Sequence, residues 1–314
     1  MLSWFSPEWR FYPPVPDGGQ FWTDQLWRSG YRLQSYALGD SWRVVCPRGI
    51  RRCIGTEAEC LAVLDRLAGP PVDDAPGRHV AILLHGLMRT RRCMKKLGHG
   101  LAESGISPVI RFDYASTRQG IARDGAALRR LVEGLPASST LSFVGHSMGN
   151  IVLRYAIGDL KASGDPRGVL GRMHRVVMLG PPNQGAAIAR LLAKLKLFGL
   201  VVGEGGLELG PNWQALLPKL AIPPCPFAIV AGDLSHLKIR NPLGGQAGDL
   251  LVSLDEAKLD GATEFLTLPI PHAFLISDSR VIRFVVEFLN QPMAVPTAPA
   301  NTASAPSEPR HESV

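Results

Sequence analysis

Six short, continuous apolar runs recur along the chain, and stretches of helical periodicity separate most of them. The runs are residues 79–84 (His-Val-Ala-Ile-Leu-Leu), 108–112 (Pro-Val-Ile-Arg-Phe), 141–144 (Leu-Ser-Phe-Val), 175–179 (Arg-Val-Val-Met-Leu), 227–231 (Phe-Ala-Ile-Val-Ala) and 264–268 (Glu-Phe-Leu-Thr-Leu). A short run without polar alternation is how a strand buried on both faces reads. Helical patterns fall at about 92–104, 120–134, 148–160 and 185–198. Strand and helix in alternation admit few arrangements, and the expectation is an α/β fold, a doubly wound, mostly parallel sheet with helices on both faces. Reactive groups in such a fold gather where the strands end, at their carboxyl edge.

The residues before the first run, 1–77, read as a small α+β extension that holds Trp4, Trp9, Trp22, Trp27 and Trp42. Within it, residues 20–30 read as a short amphipathic helix, and 31–37, 41–46 and 51–55 as strands. A helix then follows Thr56, which has Glu59 three residues on in a capping-box pattern. Such a module suits either packing on the core or contact with a membrane interface or partner. The core spans 78–290, with an insertion at about 186–224 where Ile188, Leu191, Leu192 and Leu195 form an apolar stripe opposite Arg190, Lys194 and Lys196. That insertion is either a helix covering the sheet or a lid hinged on the glycines that follow. Residues 291–314, rich in Pro, Ala, Ser and Thr, read as a disordered tail.

Composition narrows the classes. A chain of 314 residues, 46% hydrophobic and 19% charged, suits a globular enzyme with a large core. Without a long apolar stretch or a signal-like start between Met1 and Arg10, a cytoplasmic protein is expected. Five cysteines without metal-ligand spacing point to free thiols, Cys46 and Cys53 flanking a hairpin turn among them. No metal cluster or phosphate loop stands out, so no cofactor is expected. The net charge of +7 is concentrated locally, at Arg48, Arg51 and Arg52 and again at Arg89, Arg91, Arg92, Lys95 and Lys96. The second cluster is either a solvated helix face or a rim giving peripheral contact with an anionic membrane surface. Nucleic acid is not an expected partner, because no aromatic-rich basic motif accompanies the charge.

Gly145-His146-Ser147-Met148-Gly149 sits between the third run and a helical stretch. A hydroxyl becomes a usable nucleophile when it is exposed on a sharp strand-to-helix turn, near a base and beside anion-binding N–H groups. Ser147 is therefore the candidate nucleophile. Met148 N–H is one candidate oxyanion donor, and the other comes from His85-Gly86-Leu87-Met88 after the first run, with Leu87 ahead of Met88. In this arrangement the chain order is serine, acid, histidine. Of the histidines that follow, His272 lies just past the last run, His236 in an irregular stretch and His311 in the tail, so His272 is the candidate base. His146 is expected to pack or hydrogen-bond locally. Three acids lie in reach, Asp249, Asp233 and Asp255, and the residues alone leave the choice among them open.

Leu83-Leu84-His85-Gly86-Leu87, Phe143 to Gly149, Leu179 to Gly185, Gly248-Asp249-Leu250-Leu251-Val252 and His272-Ala273-Phe274-Leu275 together resemble α/β-hydrolases of the lipase and esterase type. The nearest groups are bacterial lipase-like proteins and GPI-inositol deacylase-like hydrolases, and the resemblance spans about residues 78–290. It implies that Asp249 is the catalytic acid and that the loop 180–185 frames an acyl pocket. One position departs from the pattern: Leu250 stands where glycine commonly follows the acid. The expectation is a serine hydrolase that cleaves carboxylic esters, with lipid-like acyl esters foremost, using Ser147, His272 and Asp249. Its rivals are a non-catalytic lipid- or partner-binding protein on the same fold, and an acyltransferase, amidase or thioesterase using the same residues.

Overall fold

The structure, a computed structural model, describes residues 19–70, 77–185, 213–236 and 246–292. The N-terminal extension departs from expectation at its start. Residues 20–30 hold a strand, β1 (Trp22–Arg28), rather than an amphipathic helix. It pairs antiparallel with β2 (Tyr31–Tyr36) through a two-residue turn, Ser29 and Gly30, both at positive φ (50° and 84°). Consecutive positive φ values make the hairpin turn whose twist matches its strands. Two features hid this strand from a reading of periodicity. Its buried positions Thr23 and Asp24 are polar, and the register slips between Asp24 and Leu26, so apolar alternation is lost. The strands β3 (Trp42–Val45) and β4 (Arg51–Gly55) complete an antiparallel sheet in the order β1-β2-β3-β4. Helix α1 (Glu57–Ala68) starts at Thr56 with both hydrogen bonds of the capping box formed. Its Cys60 and Leu64 pack on Leu33 and Val44, giving this sheet a small core of its own. Cys46, Cys53, Cys60, Cys93 and Cys225 are free thiols.

Each of the six apolar runs forms a strand: β5 (His79–Leu84), β6 (Val109–Phe112), β7 (Thr140–His146), β8 (Met173–Leu179), β9 (Phe227–Gly232) and β10 (Glu264–Leu268). All pair in parallel, in the order β10-β9-β8-β7-β5-β6. Among the described residues four longer helices cover the sheet: α2 (Lys95–Glu103), α3 (Ile121–Glu133), α4 (Met148–Ala162) and α5 (Ser279–Asn290). Successive residues of a strand point to opposite faces. Val80, Ile82, Leu84 and Phe143 thus join Leu128 and Leu131 of α3 and Ile151 of α4 in one core. Ala81, Leu83 and Val144 join Leu97 of α2 and Val281 and Val285 of α5 in a second. Burial on both faces is why the runs lack polar alternation. The edge strand β10 is the exception, with Glu264 and Phe265 exposed.

The strand order reverses beside β5. The chain passes from β5 to β6 on one side, then returns to place β7 on the other. At such a switch point the following loops diverge and leave a crevice at the carboxyl edge. The segments His85–Met88 and Ser147–Met148 leave the sheet at this place. Of the insertion expected at 186–224, residues 186–212 lie outside the described residues, as do the helix expected from 185 beyond its first residue, residues 1–18 with Trp4 and Trp9, and 293–314 with His311. The described part, 213–224, begins with a single helical turn, Trp213–Leu216.

Candidate active site

Strand β7 ends and α4 begins on either side of Ser147, whose backbone takes φ 54° and ψ −123°. A positive φ at a residue with a Cβ stores strain on the order of 1–3 kcal/mol and persists only where neighbours enforce it. Here Ser147 N–H donates to Leu179 O on β8 at 2.9 Å, and Asn150, fully buried, donates its Nδ2–H to Ser147 O at 3.1 Å. The turn also needs glycine on both sides. A Cβ at Gly145 would lie 2.2 Å from Asn150 Oδ1, and one at Gly149 would lie 2.7 Å from the carbonyl oxygens of both Leu84 and His85. The second contact presses the start of α4 against the end of β5. A Cβ at Gly86 would stand 3.2 Å from that of Ser147, so the loop carrying Leu87 and the serine turn are direct neighbours.

His272 opens a short 3₁₀ turn, His272–Phe274, past β10, and Asp249 lies between β9 and β10. The two meet: His272 Nδ1 and Asp249 Oδ2 are 2.7 Å apart, and His272 N–H donates to Asp249 O at 3.2 Å. Asp249 is 2% exposed, and its other carboxylate oxygen accepts from Leu251 N–H at 3.0 Å and Val252 N–H at 2.8 Å. With Oδ1 held by two backbone donors, Oδ2 has a fixed aim at the imidazole. Leu250 sits at φ 78°, the left-handed region that favours glycine. The departure at this position therefore leaves the turn intact and places a leucine where glycine would be unstrained.

The imidazole lies over Gly180, where a Cβ would come within 2.9 Å of its Nδ1 and Cε1. Gly180 directly follows Leu179, the acceptor of Ser147 N–H. On the other side of Ser147, His146 Nε2–H donates to His272 O at 3.1 Å, and the two rings are 4.9 Å apart. The serine turn and His272 thus share two points of contact. Among the described residues His272 Nε2 is buried and makes no hydrogen bond, so none is formed to Ser147 Oγ. Burial, and next the neighbouring His272, push the His146 imidazole well below its ordinary pKa. His146 favours its neutral form and bonds to the backbone of His272, 126 positions away, where the sequence suggested a local partner.

The other candidates stand elsewhere. Asp233 caps a turn through Ser235 N–H at 2.9 Å, and Asp255 is exposed and paired with Lys258 at 2.8 Å. His236 is exposed. Of the two donor candidates after β5, Met88 N–H is engaged by Ser116 Oγ at 3.1 Å. Leu87 is 8% exposed and is the second residue of the turn closed by Arg89 N–H on Gly86 O. Met148 is the first residue of α4, where backbone N–H groups have no partner within the helix. Met88 and Phe274 are 45% and 59% exposed beside the site. Of the basic cluster, Arg91 lies 3.5 Å from the buried Asp113, while Lys96 donates to Ser277 O at 2.7 Å.

Sequence reading passed over one group of residues near this site, Gln20, Asp24, Asp113, Tyr114 and Ser116. The signal available was the run of polar residues directly after β6, at the carboxyl edge of the sheet. Tyr114 stacks on His85 with ring centroids 4.1 Å apart, and its hydroxyl donates to His85 O. Among the described residues no cluster of His, Cys, Asp or Glu is arranged to hold a metal, and no helix is long and apolar enough to cross a membrane.

Residues 76–180, from β5 to the end of β8, match the family described as "Putative serine esterase (DUF676)". No curated protein matches the chain. Among solved structures the mature form of Bacillus licheniformis lipase BlEst2 is similar at 17% identity, with 70% of this chain and 96% of that one covered and a TM-score of 0.53. The propeptide form of the same lipase is similar over 73% of this chain and 54% of that one, at 17% identity and a TM-score of 0.52.

Proposed function

On this α/β-hydrolase fold, we propose a serine hydrolase that cleaves carboxylic esters through an acyl-enzyme. The observation that carries the reading is the buried His272–Asp249 pair, with its Nδ1 committed to the carboxylate and its Nε2, beside the serine turn, making no hydrogen bond among the described residues. Bonding of Nδ1–H to Asp249 leaves Nε2 as the basic nitrogen, and the carboxylate favours the imidazolium that forms when it takes a proton. In the reading, Ser147 Oγ attacks the ester carbonyl as its proton passes to His272 Nε2. The carbonyl oxygen becomes an anion held by the N–H groups of Met148 and Leu87. Collapse of the tetrahedral intermediate expels the alcohol, which takes the proton from His272. Water then repeats the sequence on the acyl-enzyme, with His272 accepting its proton and returning it to Ser147.

The strained Ser147 backbone supports a functional role for this turn, because enforced strain of this kind clusters at active sites, ligand clamps and switch regions. The exposed apolar side chains of Met88 and Phe274 beside the site support an apolar, lipid-like acyl group. The test is Ser147→Ala. Ester turnover should fall by roughly 10⁶-fold with an unchanged fold, and labelling by a fluorophosphonate probe should be lost. Undiminished turnover, or labelling at another residue, refutes the assignment. A chain-length series of p-nitrophenyl esters tests the acyl preference, with rates expected to rise beyond acetate.

A further inference from the structure

The N-terminal sheet reaches into the loops that build the site. Asp24 N–H donates to Asp113 O at 2.8 Å, and Asp113 N–H returns the bond to Asp24 Oδ2 at 2.8 Å. Ala115 N–H donates to Thr23 Oγ1 at 3.1 Å, whose hydroxyl donates to Gln119 Oε1 at 2.8 Å. Thr23, Asp24 and Asp113 are fully buried. The start of β1 is therefore anchored to the loop after β6, and Gln20, just before it, extends further. Its Nε2 donates to Arg89 O at 2.7 Å. Its Oε1 accepts from Ser116 Oγ at 2.9 Å, Thr117 N–H at 2.7 Å and Thr117 Oγ1 at 2.8 Å. Ser116 Oγ in turn accepts from Met88 N–H at 3.1 Å.

One carboxamide thus holds Arg89 directly and Met88 through a single hydroxyl. Both belong to the turn Gly86 to Arg89, in which Leu87 is the second residue and Met88 the third, at φ 58°. A turn with positive φ at its third residue is suited to glycine there. With methionine it is strained and persists only if surrounding contacts enforce it. The relaxed alternative gives up the Met88 N–H bond to Ser116 and frees the turn that carries Leu87 N–H.

We propose that Gln20 is a positioning residue, which with Ser116 clamps this turn so that Leu87 N–H stays aimed at the oxyanion. The assignment rests on the catalytic reading above. A donor fixed in advance acts chiefly when charge develops on the oxygen, so its loosening lowers kcat rather than raising KM.

The experiment compares full-length Gln20→Ala, Ser116→Ala and the double variant by kcat and KM on a short p-nitrophenyl ester, by fluorophosphonate labelling, and by hydrogen exchange of the peptide spanning 86–90. Each single variant should lose at least about 10-fold in kcat with KM within about twofold, less than the 100- to 1,000-fold typical of deleting a donor outright. The double variant should be no slower than the slower single one, because both act on one turn. Exchange in 86–90 should quicken about 10-fold while the peptide of β7 is unchanged. An active, labelled wild type whose Gln20→Ala variant keeps kcat within about threefold, or keeps its exchange in 86–90, overturns the proposal. A wild type that is neither active nor labelled at Ser147 overturns the catalytic reading itself, and the positioning role with it.

Discussion

Asp249→Asn offers the sharpest trial of the site, because the two ways of seating the amide have different consequences. In the first, the amide oxygen keeps the backbone N–H groups of Leu251 and Val252, and the NH₂ faces His272 Nδ1. Two donors then meet unless the imidazole moves its proton to Nε2, the nitrogen that must accept from Ser147. In the second, the oxygen faces Nδ1–H and the NH₂ faces two backbone N–H groups, leaving both without an acceptor at a buried site. Each orphaned donor costs about 1–3 kcal/mol. The first seating is favoured, so the variant should fold with little loss of stability and carry the wrong tautomer. In a serine–histidine–acid system that error lowers kcat by roughly 10⁴-fold, about 5.4 kcal/mol in the barrier. Steady-state hydrolysis of a p-nitrophenyl ester at neutral pH, beside a thermal melt, measures both quantities. A variant within about 10-fold of wild type in kcat refutes the role given to the Asp249–His272 bond. So does a loss of activity that only accompanies unfolding.

Other consequences follow from local backbone and burial. Leu250→Gly should leave unfolding stability within about 1 kcal/mol, since relief of about 1–2 kcal/mol of left-handed strain offsets glycine's added chain entropy and the lost packing of a half-buried side chain. Leu250→Val, β-branched in the same region, should lose about 1 kcal/mol or more, and urea titration of both variants checks the contrast. Stability should also fall with acid. Burial depresses the His146 imidazole, with His272 adding to it, so the unfolded chain takes up a proton near pH 6.5 while the folded one does not. The contribution is complete above that pH and is lost as pH drops toward the lower folded value, with a slope of up to about 1.4 kcal/mol per pH unit. His79 and His174, also lowered by burial, act in the same sense. His146→Gln should flatten the slope between pH 6.5 and 5, and an unchanged slope contradicts the assignment.

Much of the core was legible residue by residue. Apolar runs without alternation mark strands covered on both faces, a period near 3.6 marks the helices between them, and Thr56 with Glu59 marks a helix start. These signals are local, and so are readable without knowing what lies opposite. The same locality misled at residues 20–30. There the buried positions of β1, Thr23 and Asp24, are polar because they bond to the loop after β6, some ninety positions away, with Arg32 and Gln34 of β2 also on the Asp24 carboxylate. Short-range patterns carry no trace of such a pairing.

The chain alone thus determined the parallel α/β scaffold, the serine turn and the residues from which a site could be assembled, since each depends on neighbours in sequence. The tertiary structure set Asp249, the acid that the resemblance had implied, against His272, put the strain of the following turn on Leu250, and let Gln20 grip the loop after β5. The first and last of these hang on hydrogen bonds between segments distant in sequence, and such a bond's partner is set by where the chain returns, not by what stands next to it.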